Sequence, residues 1–384
     1  MPMRKIAAVF AAIAYAALVS CAASAAQPGD RVDRLLDLLV QKQIITAEEA
    51  AGLVTELDAP AAAKAPAPAS LPFNASGFMH IAGYWMENDT TQNNDTFRVR
   101  HARLSLSGDS MPNMSWKMGV DFANPDPILL DAFVNWKATR RTSISAGQFK
   151  LPVSYESIIS AKDLDMIDRA QFINQMRPSN GRDIGVNVKR DLAPDTALEL
   201  GAFNGSGKNN ADTGDPDALT ARLTGSYKIG ALQLQPEAAF LSAKGETGNA
   251  TPLETAVNTG AFSPYDKTLK QAGLRSRIGD YTFKAEFMQA RLKPKAAAAG
   301  AVIAGGRYLQ FGVDFMKNYT FFWRHEDYDP NVRTTTATDV TWDTLAVNFR
   351  AAKDVVYKLN YLSKKEAAGG EDNDELRLQI MIGF

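Results

Sequence analysis

The chain spaces its cations in a way that suits one kind of chemistry. Lys162, Arg169 and Arg177 fall between Leu151 and Gly181, and Arg182 follows at once. Further cations, Arg103, Lys117, Lys189, Arg222, Arg275, Arg277 and Lys284, occupy the polar positions of runs in which every second residue is apolar. Arg350, Lys358 and Arg377 do the same later in the chain. Ammonium and guanidinium groups attract anions through their field and hold them by charge-assisted hydrogen bonds, guanidinium in a bidentate fork. Interleaved carboxylates, Asp121, Asp131, Glu199, Glu237, Glu286 and Asp314, can cancel that field. The pattern speaks for attracting charged solutes rather than for making or breaking bonds.

Other chemistries are thinly represented. The single cysteine is Cys21, and the three histidines, His80, His101 and His325, lie in separate segments without the spacing of metal ligands. A nucleophilic serine would need a nearby histidine held by a third group, and no motif supplies one. Glycine-rich turns lack the strand–GxGxxG–helix context of a nucleotide site, so no cofactor or metal is expected. Charge is balanced, with 42 basic against 43 acidic residues, which is not the footprint of a nucleic-acid binder.

Something must position those cations. From Gly77 onward the hydrophobic period is two. Trp116, Met118, Val120 and Phe122 alternate with Ser115, Lys117, Gly119 and Asp121; Leu130, Ala132, Val134 and Trp136 alternate with Asp131, Asn135 and Lys137. The pattern recurs in Leu219 to Tyr227, Tyr281 to Ala290, Leu309 to Phe315 and Val355 to Ser363. It ends in Leu376-Arg-Leu-Gln-Ile380-Met-Ile-Gly-Phe384. Sixteen such segments can be counted. Connections alternate in length: short ones at 108–113, 138–142, 191–195, 228–231, 279–280, 316–318 and 351–354, and long polar ones between them. Only Asn124 to Pro127 breaks the rule. Strands with one apolar face, short turns on one rim and long loops on the other predict an all-β, sixteen-stranded antiparallel transmembrane barrel. A mean hydropathy of −0.21 agrees, because half of each strand would face water.

The amino terminus fixes the compartment. Arg4 and Lys5 precede an apolar stretch from Ile6 to Val19 and the small residues Ala23-Ser24-Ala25-Ala26, so residues 1–26 read as a signal peptide. The alternative is lipid attachment at Cys21, preceded by Leu18-Val19-Ser20. Ordinary cleavage leaves no thiol, and 40 basic residues against 43 acidic ones, near −3. Residues 27–58 form a helical segment. Val32, Leu35, Leu36, Leu39 and Val40 make one stripe, and Thr46 with Glu49 forms a capping box. Too short to fold alone, it is expected in the periplasm as a coiled coil between protomers or as a loosely ordered arm. Residues 59–76 are a Pro/Ala linker and 77–384 the barrel.

Specific runs resemble the phosphate-selective porin O/P family. They are Phe97-Arg98-Val99-Arg100-His101-Ala102-Arg103-Leu104, Gly147-Gln148-Phe149-Lys150 with Pro152-Val153-Ser154 and Glu156, Asp168-Arg169-Ala170, Gly181-Arg182-Asp183-Ile184-Gly185, and Gly201-Ala202-Phe203-Asn204-Gly205. Ile44 to Ala50 and the terminal Phe384 are similar to family features as well. The resemblance implies a trimeric Gram-negative outer-membrane porin whose third loop folds into the lumen as a constriction. It also implies a final aromatic read by the barrel-assembly machinery. His101 stands where the family has an arginine, and Asp168 where it has glutamate. The resemblance therefore implies anion transport and, more narrowly, phosphate or polyphosphate, while the interleaved acids argue only for anions or neutral solutes.

The expected function is passive diffusion of small hydrophilic solutes. The loop 151–181 would set the size limit, with Lys162, Arg169, Arg177 and Arg182 facing solute. The alternative for Arg169 and Arg182 is a purely structural pairing with Asp165, Asp168 or Asp183. Trp116, Trp136, Tyr227, Trp323 and Tyr361 read as membrane-interface girdle residues. The rival for the whole chain is a plugged structural or adhesive barrel that tethers the envelope through its amino-terminal helices.

Overall fold

A computed structural model gives the fold and describes residue 46 and residues 73–86, 95–123, 125–177, 181–211, 217–245, 251–256, 265–295, 300–333, 339–366 and 373–384. The signal segment, nearly all of the helical segment and the linker as far as residue 72 lie outside the described residues. The chain divides after Ser70, and the strands all belong to the second unit, Leu71–Phe384.

Among the described residues, sixteen strands close on themselves. They begin with β1 (Asn74–Met86), β2 (Thr96–Met111), β3 (Met114–Asp121), β4 (Ile128–Thr139), β5 (Thr142–Lys150), β6 (Arg182–Ala193) and β7 (Thr196–Phe203). Strand β8 comes in two pieces, Ala218–Gly225 and Tyr227–Ile229, which both pair with β9 (Leu232–Gly245). The rest are β10 (Tyr265–Ile278), β11 (Tyr281–Pro294), β12 (Val302–Met316), β13 (Tyr319–Asp329), β14 (Val340–Ala352), β15 (Val355–Glu366) and β16 (Glu375–Gly383). Each pairs antiparallel with the next, and β1 pairs with β16, with Phe78 opposite Gly383 and Met86 opposite Glu375. The seam extends to the last residue, because the Gly77 amide donates to the Phe384 carbonyl at 3.0 Å. Closure leaves no strand edge without a partner, the condition for backbone to cross lipid.

The first strand starts at Asn74, inside the span read from sequence as linker. The turns between β2 and β3 and between β4 and β5 are two residues long, as is Gly279-Asp280, while β5 and β9 end, and β6 and β10 begin, at the other rim. Outward faces carry bare apolar groups: Met79 and Ile81 on β1, Val186 and Val188 on β6, Phe283 and Phe287 on β11, Leu309 and Phe311 on β12. In a bilayer these are covered by lipid. Trp136, Tyr227, Trp323 and Tyr361 share that outward exposure.

Several strand pairs shift register, and two of these shifts bear on the lumen wall. On β2 the pairing with β1 skips Arg100, so His80 faces His101 but Ile81 faces Val99. An extra residue re-aims its neighbours. On β4 the pairing with β3 skips Leu130. Leu130, expected on the outward face with Ala132, is instead buried beside an internal cavity.

Candidate functional site

Among the described residues of 151–181 are two short helices, α1 (Tyr155–Ile158) and α2 (Gln171–Met176), and a 3-10 turn at Ala161–Asp163. The segment leaves the rim through Ser154, held at φ 93, whose hydroxyl caps α1 by accepting from the Ser157 amide at 3.1 Å. Its apolar anchors are buried: Phe172, Ile173 and Met176 join Leu241, Leu269, Met288 and Tyr308 of the wall in one cluster. Leu164 packs with Phe78 and Met381, and Met166 with Phe322 and Ala346. All of these wall residues alternate with the bare outward ones, so the segment lies against the inner wall.

Wall carboxylates hold its helix starts. The Tyr155 amide donates to Glu237 at 2.7 Å and the Gln171 amide to Glu326 at 2.9 Å. Within the segment, Glu156 accepts from the Ala170 amide at 2.9 Å and from Arg324 at 3.0 Å. The first amides of a helix have no partner within it and carry its positive dipole end, so acids are the natural partners. Farther along, Asp165 accepts from Lys284 and from Gln310, and its carbonyl accepts from Asn348 at 2.8 Å. Asp168 is clasped by Arg100 and Arg377, and the Ile167 and Leu164 carbonyls accept from Arg100 and Lys358. Burial alone would raise the Asp168 pKa, but Arg100 and Arg377 outweigh it and hold the carboxyl below its ordinary value.

The cations singled out from sequence meet different fates. Arg169 reaches neither Asp165 nor Asp168; it donates to the carbonyls of Glu156 at 2.7 Å and Ile159 at 2.6 Å. Arg182 pairs with Asp131 at 2.8 Å rather than with Asp183, which accepts from the Gly205 amide. Arg103 pairs with Asp121 at 2.8 Å, and Lys117 stands 3.5 Å from Asp131. Arg222 lies between Glu199 and Glu237, Arg277 pairs with Asp314, and Lys284 with Asp165. Arg275 lies over the Tyr155 ring, 3.3 Å from its centroid. Lys162 and Lys189 are exposed. Arg177 has a buried Nε without a partner among the described residues.

Four cations gather around one cavity of about 290 Å³. Ile158 and Ser160 of the inner segment form one side; Arg103, Lys117, Lys150 and Arg182 of the wall form the other, with Asp131 as the lining carboxylate. Lys150 was not among the cations picked out, and neither were Arg98, Arg100 and Lys208. Lys150 donates to the carbonyls of Ile158 and Ile159, each at 2.7 Å. Arg98 lies over the Tyr84 ring at 4.1 Å. On the segment and on the next long loop, Arg177 and Lys208 report the same positive surroundings. Burial first, and then Arg182 and Arg103, disfavour the charge on each. A guanidinium keeps its proton regardless, so Arg177 adds to that field.

His80 and His101, read from sequence as isolated wall residues, sit opposite each other with ring centroids 5.3 Å apart. His101 bonds Asp121 at 2.8 Å, and both nitrogens of His80 are buried without a partner among the described residues. Among the described residues no group of three or more His, Cys, Asp or Glu is placed to hold a metal.

A family model described as phosphate-selective porin O and P matches residues 74–250. No curated protein matches. Among solved structures, the chain is similar to an anion-selective porin from Comamonas acidovorans, with a TM-score of 0.60 and 11% identity over 81% of this chain and 99% of that one. The trimer form of in-vitro folded OmpT from Vibrio cholerae gives a TM-score of 0.56 at 11% identity, covering 81% and 99%. The outer-membrane channel DcaP of Acinetobacter baumannii gives 0.54 at 15% identity, covering 81% and 97%. Identities this low speak to fold.

Proposed function

We propose that this chain, which the model of the phosphate-selective porin O and P family matches over residues 74–250, is a channel of the Gram-negative outer membrane that favours anions and filters them beside the inner segment 151–181. Solute crosses by passive diffusion through water between that segment and the β1–β6 wall. The observation that carries this reading is the cavity lining, four cations with one carboxylate. At a protein surface with an effective dielectric near 20, one uncompensated charge at 4 Å is worth ~4 kcal/mol to a counter-ion before screening, enough to set the sign of selectivity.

Lys162, Arg177, Arg182, Lys150, Lys117 and Arg103 belong to this path. Arg169 supports it from behind, since its donors are turned to the segment's own carbonyls. Arg222, Arg277 and Lys284 each face a carboxylate and contribute little net field, and Lys189 and Arg275 lie on the wall apart from the cavity. A homotrimer in lipid is the proposed assembly, supported by the trimer form of OmpT that shares this fold. The test is the reversal potential of the purified protein in planar bilayers under a KCl gradient. Chloride should carry more current than potassium, and Lys117→Gln with Lys150→Met should bring the ratio toward one. Potassium preference in the wild type would refute the reading, and absence of any stepwise opening would favour the plugged structural barrel.

A further inference from the structure

Resting on the outer-membrane placement but not on the anion preference, we propose that the lipid-facing surface of β10 to β12 docks a phosphorylated, acylated glycolipid of the outer leaflet. Outward positions on β11 follow from Phe283 and Phe287, so Gln289, Arg291 and Lys293 share their face. Across the ladder Lys270 stands opposite Gln289, and Arg307 opposite Phe287. Lys270, Arg291, Lys293 and Arg307 are all exposed. Arg307 pairs with Asp327 at 2.9 Å and still keeps its side chain 72% exposed. Asp266, opposite Lys293 in register, stands 3.8 Å from Lys295. Lys270, Arg291 and Lys293 have no ion pair among the described residues. The patch therefore keeps a surplus of positive charge on the outside of the wall.

On the short-turn side of these cations the same surface sinks into a groove of about 570 Å³. Ala272 and Ala285 keep its floor low, Leu274, Phe287 and Leu309 give it hydrocarbon, and Arg307 stands at its border beside Asp327. The order is that of a lipid molecule. β9 and β11 end, and β10 and β12 begin, at the rim opposite the short turns, which is the extracellular one. Lys270, Arg291 and Lys293 lie between that rim and the groove, so headgroup phosphates meet cations where acyl chains meet hydrocarbon. Guanidinium takes phosphate through two parallel hydrogen bonds, and ammonium adds a point charge. A zwitterionic phospholipid brings its own ammonium, which these side chains repel. A second copy of the chain presenting the same face would set cations against cations. Charge complementarity thus commits the site to an anionic glycolipid.

The experiment measures lipid bound to the purified, lipid-stripped protein in detergent by native mass spectrometry. The probes are bisphosphorylated lipid A, its monophosphoryl form and phosphatidylethanolamine. Wild type should bind them in that order. Arg291→Gln with Lys293→Gln should weaken bisphosphorylated lipid A about thirtyfold, since each basic side chain near a lipid surface contributes about fivefold. Ala285→Phe fills the groove without touching a charge and should weaken both forms of lipid A. Excess inorganic phosphate should displace neither, because it cannot use the groove. Equal binding of lipid A and phosphatidylethanolamine, or displacement of lipid A by inorganic phosphate, overturns the inference. So does a Lys270→Cys chain that crosslinks to its neighbour in native membranes, which would show a second copy covering this face. Stepwise conductance from the same preparation keeps the channel reading separate: with conductance intact, those results sink the lipid site alone. The wild-type ranking decides the matter even if no variant assembles.

Discussion

Asp168→Asn tests whether the inner segment is fixed by charge or merely by its apolar anchors. Asp168 accepts from Arg100 and from Arg377, two charge-assisted hydrogen bonds that each contribute ~1.5–3 kcal/mol where both partners are buried. Its side chain is a quarter exposed, so the low end of that range applies. After the change neither guanidinium is stranded: Arg377 keeps Glu375, and Arg100 keeps the Ile167 carbonyl. That removes most of the penalty for an unpaired buried charge, which would otherwise reach ~3–5 kcal/mol. The net loss is therefore about 2–3 kcal/mol, or roughly a 30- to 150-fold rise in the fraction of time the segment is detached at this end. Phe172 and Met176 still hold the far end, so the barrel itself should persist. Single-channel recording is the assay. Wild type should show quiet open levels, and Asp168→Asn should show added open-channel noise and excursions to higher conductance. Conductance and noise equal to wild type, with the strand signal in circular dichroism intact, would refute the claim that this clasp fixes the segment.

Other expectations follow from the same contacts. Lowering pH should act like that substitution: Asp168 has a folded pKa below its unfolded value near 4, so its contribution is complete above about pH 4 and disappears as pH falls through the folded value. Channel noise should rise in that acid range in wild type and change little in Asp168→Asn. Arg169→Ala should leave the chloride-to-potassium ratio close to wild type yet increase noise, because its donors reach the Glu156 and Ile159 carbonyls; a large fall in anion preference would place Arg169 among solute contacts instead. Gly147→Ala should lower thermal stability in detergent by about 1–3 kcal/mol, because φ is +124 there and the new Cβ would stand 2.3 Å from the Ala132 carbonyl oxygen. An unshifted melting curve would show that β4 and β5 give way at no cost.

The strands were legible because their period is enforced by two solvents: a side chain on the wrong face of a membrane barrel meets lipid or water it does not suit. The bulges were not. Counting back from Arg103 by twos gives His101, Val99 and Phe97 one face, and puts Arg98 and Arg100 outside. The extra residue at Arg100 turns both arginines inward, where one clasps Asp168 and the other covers Tyr84. A bulge shifts the phase of the alternation by one, here from Phe97 and Val99 to Leu104 and Leu106, a shift that counting by twos passes over, and the same oversight misassigned Leu130. For the segment 151–181, Ile173 and Phe172 were readable as anchors from their apolarity alone. Their polar counterparts were not, because Arg377 and Lys358 lie about two hundred residues away and meet Asp168 and Leu164 only after the ring closes. Ion pairing was half visible. Acids and bases were seen to alternate along the polar faces, but which base meets which acid is set by register. Arg222 is opposite Glu199 on β7, and Glu237 is opposite Thr224 on β9, two residues along.

Register also explains why cations so evenly spread in sequence act so unevenly. On β9 to β16 the charged groups turn toward one another or toward the inner segment: Glu237 and Glu326 on helix amides, Lys284 on Asp165, Arg324 on Glu156, Lys358 on a carbonyl. Each is committed before a solute arrives, so that sector is stiff and close to neutral. On β2 to β6 the cavity has four cations for one lining acid, and the inner segment offers it carbonyls rather than carboxylates. Selectivity on this reading belongs to one side of the pore. Removing a cation from the committed side, such as Arg222 between Glu199 and Glu237, uncovers two acids at once. It would do more to fold and to local potential than its own charge suggests. Removing Lys117 uncovers almost nothing, because Asp131 keeps Arg182. Lys117→Gln should therefore change ion preference without changing stability, whereas Arg222→Gln should lower stability first.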